Sequence, residues 1–146
     1  MHLLASYSKK MKETHILFVC KYNRFRSKLA EDIFKRINGK SNIKVKSAGV
    51  IRGNSIDKNQ AKVVRSQGFE LKGPPRGISS ELLRWQDILV IVANDVPKGL
   101  FKDNKRYGRK TILWKIPDAK TNDDKEIIRI VSFIKKKVER LVEDLG

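Results

Sequence analysis

Cysteine is nearly missing from this chain: Cys20 is the only one among 146 residues. That excludes an internal disulfide framework and a cysteine-rich zinc site, and it suits a reducing compartment. Histidine is almost as scarce. His2 and His15 are the only two, neither sits in a tight cluster with carboxylates, and no metal is expected. No apolar run approaches the length of a membrane span. The opening Met-His-Leu-Leu-Ala-Ser-Tyr-Ser is too short in apolar residues for a signal peptide, and its lysines follow the apolar stretch instead of preceding it. Residues 1–13 are expected to be a flexible N-terminal extension, followed by one domain over 14–146 in a cytoplasmic protein. Internal repeats, low-complexity tracts and linkers are absent too.

Acidic residues are the other shortage. Lys and Arg number 33 against 16 Asp and Glu, for a net charge of +17. A field of that sign draws nucleic acid, acidic proteins and phosphorylated substrates alike and does not choose among them. Nucleic acid is compatible with the charge, but neither an aromatic-interleaved basic stripe nor a zinc-finger spacing supports it.

What is present alternates between two periods. Ile16 to Val19 is a short, continuous apolar run, the pattern of a strand buried on both faces. From Ser27 the period becomes helical, with Leu29, Ile33, Phe34 and Ile37 on one face and a stop at Asn38-Gly39. Ile43 to Ser47 alternates like a strand. Asp57 caps a helix to about Gln67 with Ala61 and Val64 inward, and Ser79 or Ser80 caps a short helix with Leu82 and Leu83. Asp87–Ala93 and Thr111–Trp114 read as strands. A last helix starts near residues 122–124, with Ile127, Val131, Ile134, Val138, Leu141 and Leu145 on one apolar face. Strands alternating with helices predict an α/β three-layer sandwich: a four-stranded parallel sheet with helices on both faces. Ligands of such sheets bind beyond the carboxyl ends of the strands. Cys20 and Asp118, far apart in sequence, both fall just past strand ends and are placed at the same sheet edge.

Around Cys20 the chain runs Val-Cys-Lys-Tyr-Asn-Arg-Phe-Arg-Ser-Lys-Leu-Ala-Glu, residues 19–31. A thiol at a strand's end, a short polar loop and then a helix direct backbone N–H groups and a positive helix end into one concavity. Such surroundings favour a thiolate and hold a phosphate-sized oxyanion above it. Arg26, six residues after Cys20, is a cation at a helix N-terminus, a placement that makes physical sense with an anion nearby.

This stretch resembles the phosphate-binding loop of the low-molecular-weight protein tyrosine phosphatases, a family that also includes related arsenate reductases. Ser47-Ala48-Gly49, the Gln67–Leu71 stretch leading to Arg76, and Ile116-Pro117-Asp118 fall in that family's order. The resemblance implies a phosphate-binding loop after the first strand and cofactor-free, metal-free phosphate transfer. Cys20 would be the nucleophile, Arg26 the clamp on the equatorial oxygens, and Asp118 the acid and then the base. It implies substrate contacts from Lys21, Tyr22, Asn23, Arg24, Phe25 and Ser27, with Ser27 also donating to the thiolate. Asn23 would hold the loop in shape, and Ser47 would brace Asn23.

The chain departs from the family at several points. Tyr22 replaces the usual glycine, Phe25 a frequent second cysteine, Lys28 a proline, and Pro74-Pro75 a nearby histidine. Asp118 is followed by Ala119 and Lys120, where relatives carry proline and an aromatic. Lys21, Arg24 and Lys120 would make the mouth cationic and favour multiply charged or acidic-flanked substrates. The expected function is a cysteine-dependent phosphatase acting on aryl phosphate monoesters, with a phosphorylated protein or small aryl phosphate as substrate. The alternatives are an arsenate reductase using an external thiol and a weakly catalytic phosphate- or nucleic-acid-binding protein on the same fold.

Overall fold

The structure, a computed structural model, describes residues 12–146. The extension expected over 1–13 therefore lies, except for Lys12 and Glu13, outside the described residues. The elements run β1 (Thr14–Cys20), α1 (Arg26–Ile37), β2 (Ile43–Gly49), α2 (Lys58–Ser66), α3 (Ser80–Trp85), β3 (Ile88–Val92), two 3₁₀ turns (Lys98–Phe101 and Lys105–Tyr107), β4 (Lys110–Trp114) and α4 (Asp124–Leu145). The four strands form one sheet in the order β2-β1-β3-β4, and each neighbouring pair is parallel. This is the sandwich that the alternating periods predict. Among the described residues no helix is long and apolar enough to cross a membrane.

The unbroken apolar run of β1 has a direct cause. Successive side chains of a strand point to opposite faces, and here both faces are covered. Ile16 and Phe18 enter the larger core with Leu29, Ile33 and Phe34 of α1 and Ile127, Ile134 and Val138 of α4. Leu17, Val19 and Cys20 enter a smaller core with Leu82 of α3 and with Val96 and Phe101 from the β3–β4 connection. Side-chain oxygens satisfy orphan N–H groups at three helix starts: Asp57 accepts from Gln60 (2.9 Å), Ser79 from Leu82 (3.1 Å) and Asp123 from Glu126 (3.1 Å).

Two expected core residues stand elsewhere. Ile37 is 38% exposed, because Phe34 is the last buried residue of α1 and the final turn runs past it. Ala61 is only half-buried; the inward positions of α2 are Gln60, Val63 and Val64, a face turned by one residue from the expected one. Trp114 is in the core as expected. The 3₁₀ turns escaped the periodicity, being too short to show a period.

Candidate active site

β1 delivers Cys20 to the carboxyl edge of the sheet, and the chain then turns back over five residues into α1. Asn23 makes that turn with φ 55°, a left-handed conformation that asparagine tolerates better than most residues. The backbone is clasped from the β2 side, where Val50, Ile51 and Gly53 N–H groups donate to the carbonyls of Cys20 (2.9 Å), Lys21 (2.9 Å) and Tyr22 (3.0 Å). Gly49 makes this approach feasible: a Cβ there would lie 2.6 Å from the Tyr22 carbonyl carbon and 2.7 Å from the Asn23 nitrogen. The Ser-Ala-Gly motif thus ends in the one residue that lets the loop settle on β2.

The hydrogen bonds inside the loop form one network. Ser47 Oγ donates to Glu31 (2.5 Å), so its oxygen is left to accept from Asn23 Nδ2 (3.0 Å). Ser27 Oγ also accepts from Asn23 Nδ2 (2.8 Å), which leaves its own proton free to turn to a Cys20 thiolate at 3.0 Å. The Asn23 backbone N–H points at the same sulfur from 3.3 Å. Two donors converge on a buried sulfur, an arrangement suited to holding a thiolate. Asn23 Oδ1 accepts from the Arg76 N–H (2.9 Å), which ties the loop to the segment after Pro74-Pro75. At the start of α1, Phe25 occupies the capping position without a side-chain hydrogen bond, so the first N–H groups of the helix are not consumed by a capping side chain.

Arg26 is buried, and its guanidinium is held on the far side of the loop. Nη1 donates to the Ile116 carbonyl (2.9 Å). Nη2 pairs with Asp95 Oδ1 (3.0 Å) and lies 3.7 Å from Asp118 Oδ2. The Asp118 side chain remains 47% exposed, with Oδ1 accepting from the Ala119 N–H (2.9 Å). Gln60 holds the next carbonyl, Ala119, at 3.2 Å. Cys20, Tyr22, Arg24, Arg26 and Asp118 line a single cavity of about 60 Å³. That is roughly two water volumes, room for a small oxyanion. A thiol, a planar cation and a carboxyl group thus face one space.

The family model described as low molecular weight phosphotyrosine protein phosphatase matches residues 15–146. The chain belongs to this family. Solved structures of similar fold include the YwlE arginine phosphatase from Geobacillus stearothermophilus (19% identity, TM-score 0.75, covering 90% of this chain and 92% of that one). A protein tyrosine phosphatase from Entamoeba histolytica is similar over 91% of this chain and 97% of its own (21% identity, TM-score 0.77). An arsenate reductase from Archaeoglobus fulgidus is similar over 88% and 98% (24% identity, TM-score 0.68). A comparison with curated proteins finds no match. At such identities the structures speak to the fold, and the family comes from the model match.

Against the sequence expectations, the family loop is assembled around Cys20, Asn23, Arg26, Ser27 and Ser47, and Asp118 reaches it from the fourth strand. Asn23 and Ser27 are not on the cavity wall; they lie inside the loop, bonded to each other and to the sulfur. Lys21 does not line the cavity either, its ammonium lying 5.3 Å from the Tyr22 ring centre. Phe25 contributes to the cavity wall and also to the larger core. Lys28, in the family's proline position, is only 6% exposed and donates to the Lys72 carbonyl (2.7 Å). Burial pushes its amine below the ordinary lysine range, with the Glu31 carboxylate opposing. Asp95, Gln60 and Glu31 were missed. Asp95 carried the same signal that marked Cys20 and Asp118, since it follows the end of β3 closely. Gln60 and Glu31 gave none, because their partners come from distant segments.

Proposed function

We propose that this family member is a cysteine-dependent phosphatase that hydrolyses aryl phosphate monoesters, protein phosphotyrosine among them, through a phosphocysteine intermediate and without a metal. The observation that carries the reading is the convergence of Ser27 Oγ and the Asn23 N–H on Cys20 Sγ beneath a cavity that Arg26 and Asp118 also line. In the first step the Cys20 sulfur pair attacks phosphorus, the ester P–O bond breaks, and its electron pair stays on the leaving oxygen. Asp118 gives that oxygen its proton. In the second, water attacks phosphorus and yields a proton to the Asp118 carboxylate, while the S–P pair returns to Cys20. Arg26 and the loop N–H groups hold the equatorial oxygens through both steps. Tyr22, on the cavity wall, offers a ring to an aryl leaving group where Lys120 replaces the usual aromatic.

The test is hydrolysis of para-nitrophenyl phosphate near pH 6 with and without EDTA. Turnover that survives EDTA and vanishes in Cys20→Ser is expected. An inert wild type that still binds vanadate would overturn catalysis in favour of a binding protein.

A further inference from the structure

A second cavity, about 420 Å³, lies beside the catalytic one and shares two of its walls, Tyr22 and Arg24; Ile51, Arg52, Gly53 and Asn54 complete it. Among the described residues its only charged lining groups are the two guanidiniums, and no carboxylate lines it. Arg24 is held in place rather than waving in solvent. Its Nε donates to the Ser55 carbonyl, and its stem lies over Gly53, where a Cβ would come within 2.6 Å of Cγ and 2.8 Å of Cδ. Gly53 is in turn tied to the loop through its N–H to the Tyr22 carbonyl (3.0 Å). The Nε bond fixes the plane of the guanidinium, and among the described residues neither terminal nitrogen of Arg24 has a hydrogen-bond or ion-pair partner. A planar, pre-oriented fork in a cationic concavity suits an oxyanion, and less of its binding energy is lost to ordering a free side chain.

We propose that this cavity is a second oxyanion subsite, and that the substrates are phosphopeptide segments bearing another negative group beside the scissile phosphate. That group is either the carboxylate of a flanking Asp or Glu or a neighbouring phosphate. The proposal rests on the phosphatase reading and narrows it. Arg24 lines both cavities, so it makes the wall of the catalytic pocket cationic as well. That wall repels a positively charged leaving group and attracts a negatively charged flank. The second cavity adjoins the catalytic one along the 50–54 loop, on the side of the two shared walls.

The experiment compares kcat/KM of the full chain at about 0.15 M ionic strength on three phosphotyrosine peptides of equal length. One has neutral flanks, one Asp and Glu flanks, and one a flanking phosphoserine; para-nitrophenyl phosphate is the substrate without a flank. The expected result is a preference for anionic flanks of about fivefold, the scale of a half-exposed charge-assisted contact. The preference should collapse toward unity in Arg52→Ala, reverse in Arg52→Glu and be partly kept in Arg52→Lys. The double variant Lys136→Ala/Lys137→Ala, which removes two charges further along α4, should keep it. Preference for the phosphoserine peptide alone assigns a phosphate to the subsite; preference for both assigns any oxyanion. Equal rates on all three peptides overturn the proposal. So does a loss of preference in the α4 variant as large as in Arg52→Ala, since the net charge would then be the cause. If no substrate is hydrolysed, para-nitrophenyl phosphate included, the phosphatase reading fails on its own. The affinities of fluorescently labelled versions of the peptides, by anisotropy, then decide the subsite by the same ratios.

Discussion

The loop after β1 and the loop after β4 meet at one cavity and are built on opposite plans. In the first, Cys20, Asn23, Arg26 and Ser27 are all buried, as is Ser47 of β2 that Asn23 bonds to, and the turn is fixed by hydrogen bonds and by the fit of Gly49. In the second, Asp118 is about half exposed, its carboxylate accepting from the next N–H and lying 3.7 Å from Arg26, and the loop around it is tied by side chains only at backbone carbonyls, by Arg26 at Ile116, Gln60 at Ala119 and Asn59 at Thr121. The difference matches the demands of the proposed chemistry. A nucleophile and an oxyanion cradle gain from geometry fixed in advance, because nothing need reorganise as charge develops. A group that gives up a proton and then takes one from water has to remain reachable by the leaving group and by solvent.

The sharpest way to break this comparison is to remove one chemical group from each loop. Cys20→Ser keeps the shape and the bonding but lacks a competent nucleophile, and steady-state hydrolysis is expected to fall by on the order of 10⁴-fold or more. Residual turnover near the wild-type rate would mean that the buried loop is scaffold only. Asp118→Asn should cost about 10²- to 10³-fold in kcat, the range of general acid catalysis, with little change in the affinity for vanadate. That loss should also depend on the leaving group. It should grow from para-nitrophenyl phosphate to phenyl phosphate, because the more basic phenolate needs the proton more. An equal loss on both would place Asp118 in charge balance with Arg26 instead of proton transfer.

The next prediction separates bonding from backbone in the buried loop. Asn23→Ala strands the Arg76 N–H and takes away the amide that both Ser27 and Ser47 accept from. It also places a β-carbon without asparagine's local bonding at φ 55°. A loss of about 2–4 kcal/mol is expected in urea unfolding, from one or two unsatisfied buried groups and roughly 1 kcal/mol of left-handed strain. Asn23→Gly removes the strain alone, so it should recover about 1 kcal/mol of that. If glycine restores nearly everything, the hydrogen bonds hold far less of the loop than their geometry implies.

These same residues show what can be read from the sequence and what cannot. The sheet and its four helices were legible because double burial leaves short continuous apolar runs and amphipathic helix faces leave a period of 3.6 in the chain. The loop was legible because Cys20, Arg26 and Ser27 are close in sequence and their spacing is itself the geometry. Asp118 was reached by a topological rule, that residues just past parallel strands share an edge. Asp95 satisfies that rule equally and was missed for want of applying it to β3. Glu31 and Gln60 could not be reached in this way. Glu31 meets Ser47 across an α–β contact, and Gln60 meets Ala119 through two elements that no local pattern ties together. Ile37 failed for the converse reason: the helical period continues past the point where Phe34 ends the buried part of α1.

Lys28 offers the finest test of the buried loop, because, apart from Arg26, it is a buried cation there, and its amine donates to a neutral carbonyl. Its ammonium is buried against the Lys72 carbonyl, and burial lowers its pKa from the ordinary 10.5. A lowered lysine pKa means that the folded protein tolerates the charged form less well than the unfolded chain does. The cost is therefore fully present below the folded pKa. It fades as pH rises through the folded pKa toward 10.5, where the unfolded chain also gives up its proton. Lys28→Met, similar in length and without charge, removes that cost. Its stability relative to wild type, by urea unfolding, should be greater at pH 7 than near pH 10.5. An offset from repacking is the same at both pH values and cancels in the comparison. A difference that does not change with pH would mean that the Glu31 carboxylate beside Lys28 already balances its charge. The buried side of the loop would then accept a cation as readily as the open side does.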